Sequence, residues 1–224
     1  MTSSLGGVPL TKLYCHVPPS GAWWAEVAFA SGQAPAIGPA TLTVLDLALV
    51  GKVVRSGEDA PGEPWAIVRG AAGLWEPLLR GESWQSDEGV RLKTVLTVLA
   101  RATGETLTLP TDANLGEAYG WPSAGPQTPS TGLRVLDDVV RRGAVPTWRV
   151  EPAGAVRFDA WPASDVADAR GRVSARRLAF GRRQVGLDNA ARAFLPGAIL
   201  EGVPVVRVTF REHAGEAQAE VWES

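Results

Sequence analysis

Histidine and cysteine side chains able to act as nucleophile, base or metal ligand are few and scattered. The chain holds two histidines, His16 and His213, and one cysteine, Cys15. The histidines lie far apart and fit no metal-ligand spacing such as His-Glu-x-x-His, so the expectation is one strand histidine and one turn histidine rather than a shared site. Cys15 and His16 are neighbours on a strand-like run, where adjacent side chains point to opposite faces, so they cannot act as nucleophile and base. Cys15 reads as a buried structural thiol. Carboxylates pair at Asp137-Asp138, Asp87-Glu88 and Glu58-Asp59. The first pair sits on a helix beside arginines and the others in polar turns, which is the pattern of solvated faces and caps rather than of a glycosidase acid and nucleophile. There is no Gly-x-Ser-x-Gly elbow, no Walker phosphate loop and no Gly-x-Gly-x-x-Gly between a strand and a helix. Gly70–Gly73 reads as a glycine-rich turn. The expectation is a protein without catalytic residues, cofactor or metal.

The sharpest local signal is a cluster of arginines, Arg170, Arg172, Arg176, Arg177, Arg182, Arg183 and Arg192, with few acids nearby. Nucleic-acid binding favours a basic domain, and this chain carries a net charge of −2. Subunit contact or a solvated linker is the better reading. Nine tryptophans are the one unusual count, against two tyrosines and five phenylalanines. Most serve as packing anchors, and those on exposed faces suit protein–protein contact. The candidate interface residues are Trp24, Trp121, Arg176, Arg177, Arg182 and Arg183.

These residues must be positioned by ordinary globular elements. At 224 residues, 45% hydrophobic and 21% charged, the chain suits one large domain or a few small ones with a real core. A single cysteine excludes a disulfide scaffold. The first residues lack a basic segment followed by an apolar run, and no apolar stretch approaches the ~20 residues that span a bilayer. A soluble protein made in the cytoplasm is expected.

The organising stretch runs from Trp23 to Gly70. In its first run Trp23, Ala25, Val27 and Phe29 share one face and Trp24, Glu26 and Ala28 the other, the alternation of a half-buried strand. The second run changes face near Leu45, which predicts a bulge or bend, and Gly51 predicts a bend or a close backbone approach. Together they read as an antiparallel meander curling into a small barrel. Residues 1–12 read as a mobile polar arm. Downstream, a helix capped by Ser86 or Asp87 and stopped at Gly104 buries Leu92, Val95, Leu96, Leu99 and Ala102. A strand at Glu105–Leu109 follows, then a long loop over 111–131 and a helix capped by Ser130 or Thr131 with Leu133, Leu136, Val139 and Val140 inward. A hairpin joins the runs VPTWRV and AVRFDAW. The tail ends in strands in which Val206, Val208 and Phe210 alternate with Arg207, Thr209 and Arg211. The fold class is α+β and β-rich, small β-barrel domains flanking an α+β unit. The expected domains are an N-terminal barrel at 1–82, an α+β unit at 83–165 and a C-terminal β unit at 166–224 packing with the first barrel.

Three segments carry a resemblance to the baseplate-hub and tail-tip proteins of tailed bacteriophages, the late-control D type hub in particular. WWAEVAFASGQAPAIGPATLTVLDLALVGKVVRSG resembles that family's first barrel. GLRVLDDVVRRGAVPTWRVEPAGAVRFD is similar to its helix and hairpin, and FLPGAILEGVPVVRVTF to its last barrel strands. The resemblance implies a structural virion protein with no catalytic residues to carry over. It implies a homotrimeric hub ring of pseudo-sixfold symmetry at the tail tip, partnered by the tube or distal tail ring and by a spike or fibre, with DNA only in transit through the lumen. The alternatives from other classes are a carbohydrate-binding β module and a tail-associated cell-wall hydrolase.

Overall fold

A computed structural model describes residues 3–30, 32, 34–59, 62–78, 82–123, 128–165, 175–179, 181–186, 191–213 and 216–223, with backbone only at 165, 175–179 and 186. Arg170, Arg172, Asp168, Phe180 and Asp188 lie outside the described residues. The chain forms two compact units, one made of Met1–Gly70 with Trp161–Ser224 and the other of Ala71–Ala160.

The first unit opens with β1 (Ser4–Leu5), β2 (Val8–Pro9), β3 (Lys12–Val17), β4 (Trp24–Ala28), β5 (Gly38–Val44), β6 (Leu47–Glu58) and β7 (Pro64–Gly70). Period-two alternation places Leu13, Cys15, Val17, Trp23, Ala25, Val27 and Phe29 in the core. The expected bend at Leu45 is a reversal instead. Leu45 and Asp46 form the whole connection between β5 and β6, with Leu45 at φ 54°. Leu42 pairs with Leu49 and Val44 with Leu47, so residues of apparently opposite phase all point inward. Gly51 faces Gly70 across β6 and β7, and the Trp23 indole lies over both. A Cβ on Gly51 would stand 2.2 Å from the Arg69 carbonyl oxygen, so the close approach expected there is real. The arm read as mobile is stitched into the sheet. Ser4 and Leu5 pair with Thr43 and Leu42, Leu5 and Leu10 are buried, and the Ser3 amide donates to Glu212 at 3.0 Å. Two leucines with a core to enter outweigh the polar composition around them.

The second unit contains β8 (Ser83–Gln85), α1 (Leu92–Thr103), β9 (Ala118–Gly120), α2 (Gly132–Arg141), β10 (Arg149–Val150) and β11 (Val156–Arg157). Helix α1 starts later than Ser86 or Asp87 would have it. Its N-cap is Arg91, without a side-chain cap, and its first amides are met by a distant segment: Leu92 donates to the Ala113 carbonyl at 2.8 Å and Lys93 to the Asp112 carboxylate at 3.0 Å. It ends at Gly104 in the left-handed conformation, φ 70°, as expected. Helix α2 is capped by Thr131, whose hydroxyl accepts from the Arg134 amide. It buries Val135, Leu136 and Val139, leaving Leu133 and Val140 half-exposed. The strand expected at Glu105–Leu109 reduces to one bridge between Leu107 and Val156, while the hairpin forms as β10 and β11. The long loop over 111–131 holds a strand of its own, since β9 pairs with β8.

The chain then returns to the first unit with β12 (Ser164–Asp165), β13 (Ala175–Ala179), β14 (Arg182–Gly186), a 3-10 turn at Ala191–Phe194, β15 (Ala198–Leu200), β16 (Val203–His213) and β17 (Glu216–Glu223). Strand β16 pairs with β3, Phe210 opposite Cys15, which joins the two ends of the chain into one sheet. Among the described residues this sheet has thirteen strands in the order β13-β14-β17-β16-β3-β4-β7-β6-β5-β1-β2, with β15 and β12 branching from β16. With 45% strand and 14% helix, the protein is the β-rich α+β fold read from its sequence.

Candidate interaction surfaces

The outward face of the first unit's sheet is where its polar and aromatic residues collect. Alternation sends Tyr14 and His16 on β3, Trp24 and Glu26 on β4, Trp65 on β7, Arg207 and Arg211 on β16 and Glu220 and Trp222 on β17 to that side, and register places Thr209 there too, fully covered by its neighbours. Cross-strand register turns them into continuous rows: Glu220, Thr209, His16 and Trp24 follow one another across four strands. His16 Nδ1 lies 3.2 Å from the Thr209 hydroxyl, and its ring stands 6.0 Å from Trp24, which in turn stands 5.3 Å from Tyr14. Burial, and then the charge of Arg207, push the His16 pKa below its ordinary value. Arg211 lies over Tyr14 at 5.3 Å and pairs with Glu220 at 3.3 Å. Cys15 points the other way, fully buried, and burial pushes its thiol far up, so it stays protonated. His213 sits opposite Lys12, at the other end of β3 from His16. Among the described residues no group of three or more His, Cys, Asp or Glu could hold a metal ion.

Two features stand out on this face. A groove of roughly 470 Å³ has Tyr14, Trp65 and Ile67 among its walls, with Glu26, Asp59 and Glu63 as its acids and Lys12 as its base. Arg55 lies 5.7 Å from the Trp65 ring. Elsewhere Arg207 stacks on Trp222 at 4.1 Å, and Arg182 occupies the register position beside Trp222 on the other side. These residues are far apart in sequence; the pairing of β14 with β17 and of β17 with β16 builds the second feature, and the pairing of β16 with β3 sets it on the same sheet face as the groove.

The candidate interface residues scatter over both units. Trp24 is half-buried on the outward face, in contact with Tyr14 and His16. Trp121 is buried in the second unit, 5.7 Å edge-on from Trp84, and has little surface to offer. Arg176 and Arg177 fall on β13, the terminal strand of the sheet, opposite Gln184 and Arg183. Arg182 is half-buried. Arg183 is already engaged, paired with Glu201 and held 2.8 Å from Glu223. Sequence reasoning missed Tyr14, Glu26, Trp65, Arg207 and Trp222 as one surface. Their signal was the polar half of each alternation, which names a face but not the neighbour beside it.

In the second unit, α2 carries a compact charge cluster. Asp138 is buried and accepts from Arg141 and, at 2.8 Å, from Arg142. Burial opposes its ionisation, but the two arginines outweigh it and hold its pKa below the usual range. Arg142 stacks on Tyr119 at 5.0 Å, and Asp137 accepts from the Trp148 indole at 2.9 Å. The pair Asp137-Asp138 is thus a structural anchor. Glu105, buried, accepts from the Gly73 amide and from the Leu74 amide at 3.0 Å. No helix among the described residues is long and apolar enough to cross a membrane.

No family model matches the chain, and no curated protein matches it in sequence. Solved structures do match its fold. A 43 kDa tail protein of prophage MuSo2 from Shewanella oneidensis superposes with a TM-score of 0.61 at 11% identity, over 99% of this chain and 97% of that one. A tail protein from Neisseria meningitidis gives 0.59 at 10% identity, over 100% and 97%. An Escherichia coli component of the type VI secretion system, itself similar in structure to the T4 bacteriophage tail proteins gp27 and gp5, gives 0.59 at 10%, over 100% of this chain and 77% of that one. Over its whole length, the chain has the fold of phage tail proteins.

Proposed function

We propose that the protein is a structural component of a phage-type tail, at its tip or baseplate. It forms a hub ring, homotrimeric, that joins the tail tube to a central spike or fibre and leaves a lumen for DNA. The observation that carries this reading is the fold likeness to tail proteins along the entire chain. The outward face of the first unit, rich in aromatic and charged side chains, supports a role in protein contact rather than turnover. Light scattering of the purified chain, with electron microscopy of the same fractions and mass spectrometry of tail particles, tests it. Trimers or rings, and the chain among tail-tip proteins, are expected. A monomer absent from tail particles that cleaves peptidoglycan, or whose tryptophan fluorescence oligosaccharides quench, would replace this reading with the hydrolase or the carbohydrate-binding module.

A further inference from the structure

The outward face of the first unit carries two patches of opposite character that cannot meet within one chain. The groove at the Lys12 end of β3 has three carboxylates, Glu26, Asp59 and Glu63, against the single ammonium of Lys12. None of the three has an ion-pair partner among the described residues, and all three are exposed. Its aromatic walls, Tyr14 and Trp65, already carry Arg211 and Arg55 of the same chain, so what the groove offers a further guanidinium is two-fold pairing with its carboxylates. The second patch lies toward the Val17 end, where Arg182 and Arg207 flank Trp222. Neither arginine has a carboxylate partner among the described residues, and the Arg182 Nε is buried without an acceptor. Each patch therefore has the charge that the other lacks.

We propose that the groove of Tyr14, Glu26, Asp59, Glu63 and Trp65 receives the Arg182–Arg207 patch of a second copy of this chain. The two surfaces are different but share one face of the sheet, so a second copy can answer one of them or both: answered singly, the contact is head-to-tail and its repetition closes a ring when the rotation permits; answered together, it is two-fold. This rests on the tail-ring reading and names the surfaces that would build it.

The test uses the full chain and light scattering over a range of protein and salt concentrations. One variant reverses the groove, Glu26→Arg with Glu63→Arg. A second reverses the patch, Arg182→Glu with Arg207→Glu. A third carries all four changes. Each two-site variant is expected to weaken self-association on the order of a hundredfold, since like charges then face one another, and added salt narrows the gap. The four-site variant restores association, which loss of folding cannot mimic, and circular dichroism confirms that each variant is folded. A groove variant that associates like the wild type overturns the proposal while leaving the tail reading intact. So does a four-site variant as weak as the two-site ones. A wild-type chain monomeric even at millimolar concentration overturns it too, whereas absence of the chain from tail particles sinks the tail reading.

Discussion

The two units solve the problem of a stable core by different means. The first is held by strands from the two ends of the chain, with β3 pairing to β16 and Cys15 opposite Phe210. The second is nearly local: α1, α2 and the β10–β11 hairpin bury Val95, Leu96, Leu99, Val135, Leu136, Val139 and Trp148 within one continuous segment. Stability therefore resides in non-local pairing in the first unit and in helix packing in the second. The non-local sheet assembles a surface from distant residues, while the charge cluster on α2 is local, Asp138 held by Arg141 and Arg142 of the same helix end.

Cutting the chain breaks the comparison most directly. Residues 71–160 expressed alone should show a cooperative thermal transition, whereas 1–70 alone should not fold, because β3 loses β16 and with it the wall formed by Val208 and Phe210. Heteronuclear NMR of both fragments decides it. Dispersed spectra from 1–70 would mean that the meander closes without its distant partner.

Single substitutions sharpen the contrast. Trp23 is 1% exposed and lies over the facing glycines Gly51 and Gly70. Trp23→Ala should cost about 3–5 kcal/mol, because the space above two residues without side chains cannot collapse. In the second unit, Glu105→Ala removes the acceptor of the buried Gly73 and Leu74 amides and should cost roughly 2 kcal/mol. Urea unfolding of each variant measures both. A Glu105 effect equal to that of Trp23 would show that the second unit depends on one polar anchor as heavily as the first depends on its central tryptophan.

What was legible in the sequence follows the same division. Local periodicity marked β4, α1 and α2, and glycine marked the end of α1 and the close contact at Gly51. The β5–β6 turn was hidden because Leu45-Asp46 carries none of the Asn-Gly or Asp-Gly chemistry that signals a two-residue hairpin; a buried leucine holds the left-handed φ instead. The start of α1 was hidden because the groups that meet its first amides, the Ala113 carbonyl and the Asp112 carboxylate, come from beyond the helix in sequence. The outward surface was the least visible of all. Arg207 and Trp222 belong to one patch only through strand pairing, and period-two alternation cannot state which strand lies beside which.

Acid gives the finest test of the comparison, because the shifted groups of the two units titrate in different windows. His16 in the first unit has a folded pKa below its ordinary 6.5, from burial first and from Arg207 second, with Thr209 and Trp24 as its other neighbours. The unfolded chain then binds the proton more readily, so the stability linked to His16 is complete above 6.5 and is lost as pH falls through 6.5 toward the folded value. Asp138 in the second unit has a folded pKa below its ordinary 3.8, so its contribution is complete above 3.8 and is lost only as pH falls below it. Amide NMR signals from β3 and β16 should therefore weaken in mild acid while those of α2 persist, and His16→Asn should remove the mild-acid loss without changing the behaviour of α2. If α2 signals fade together with those of β3, the two units unfold as one body and the local unit does not stand on its own core.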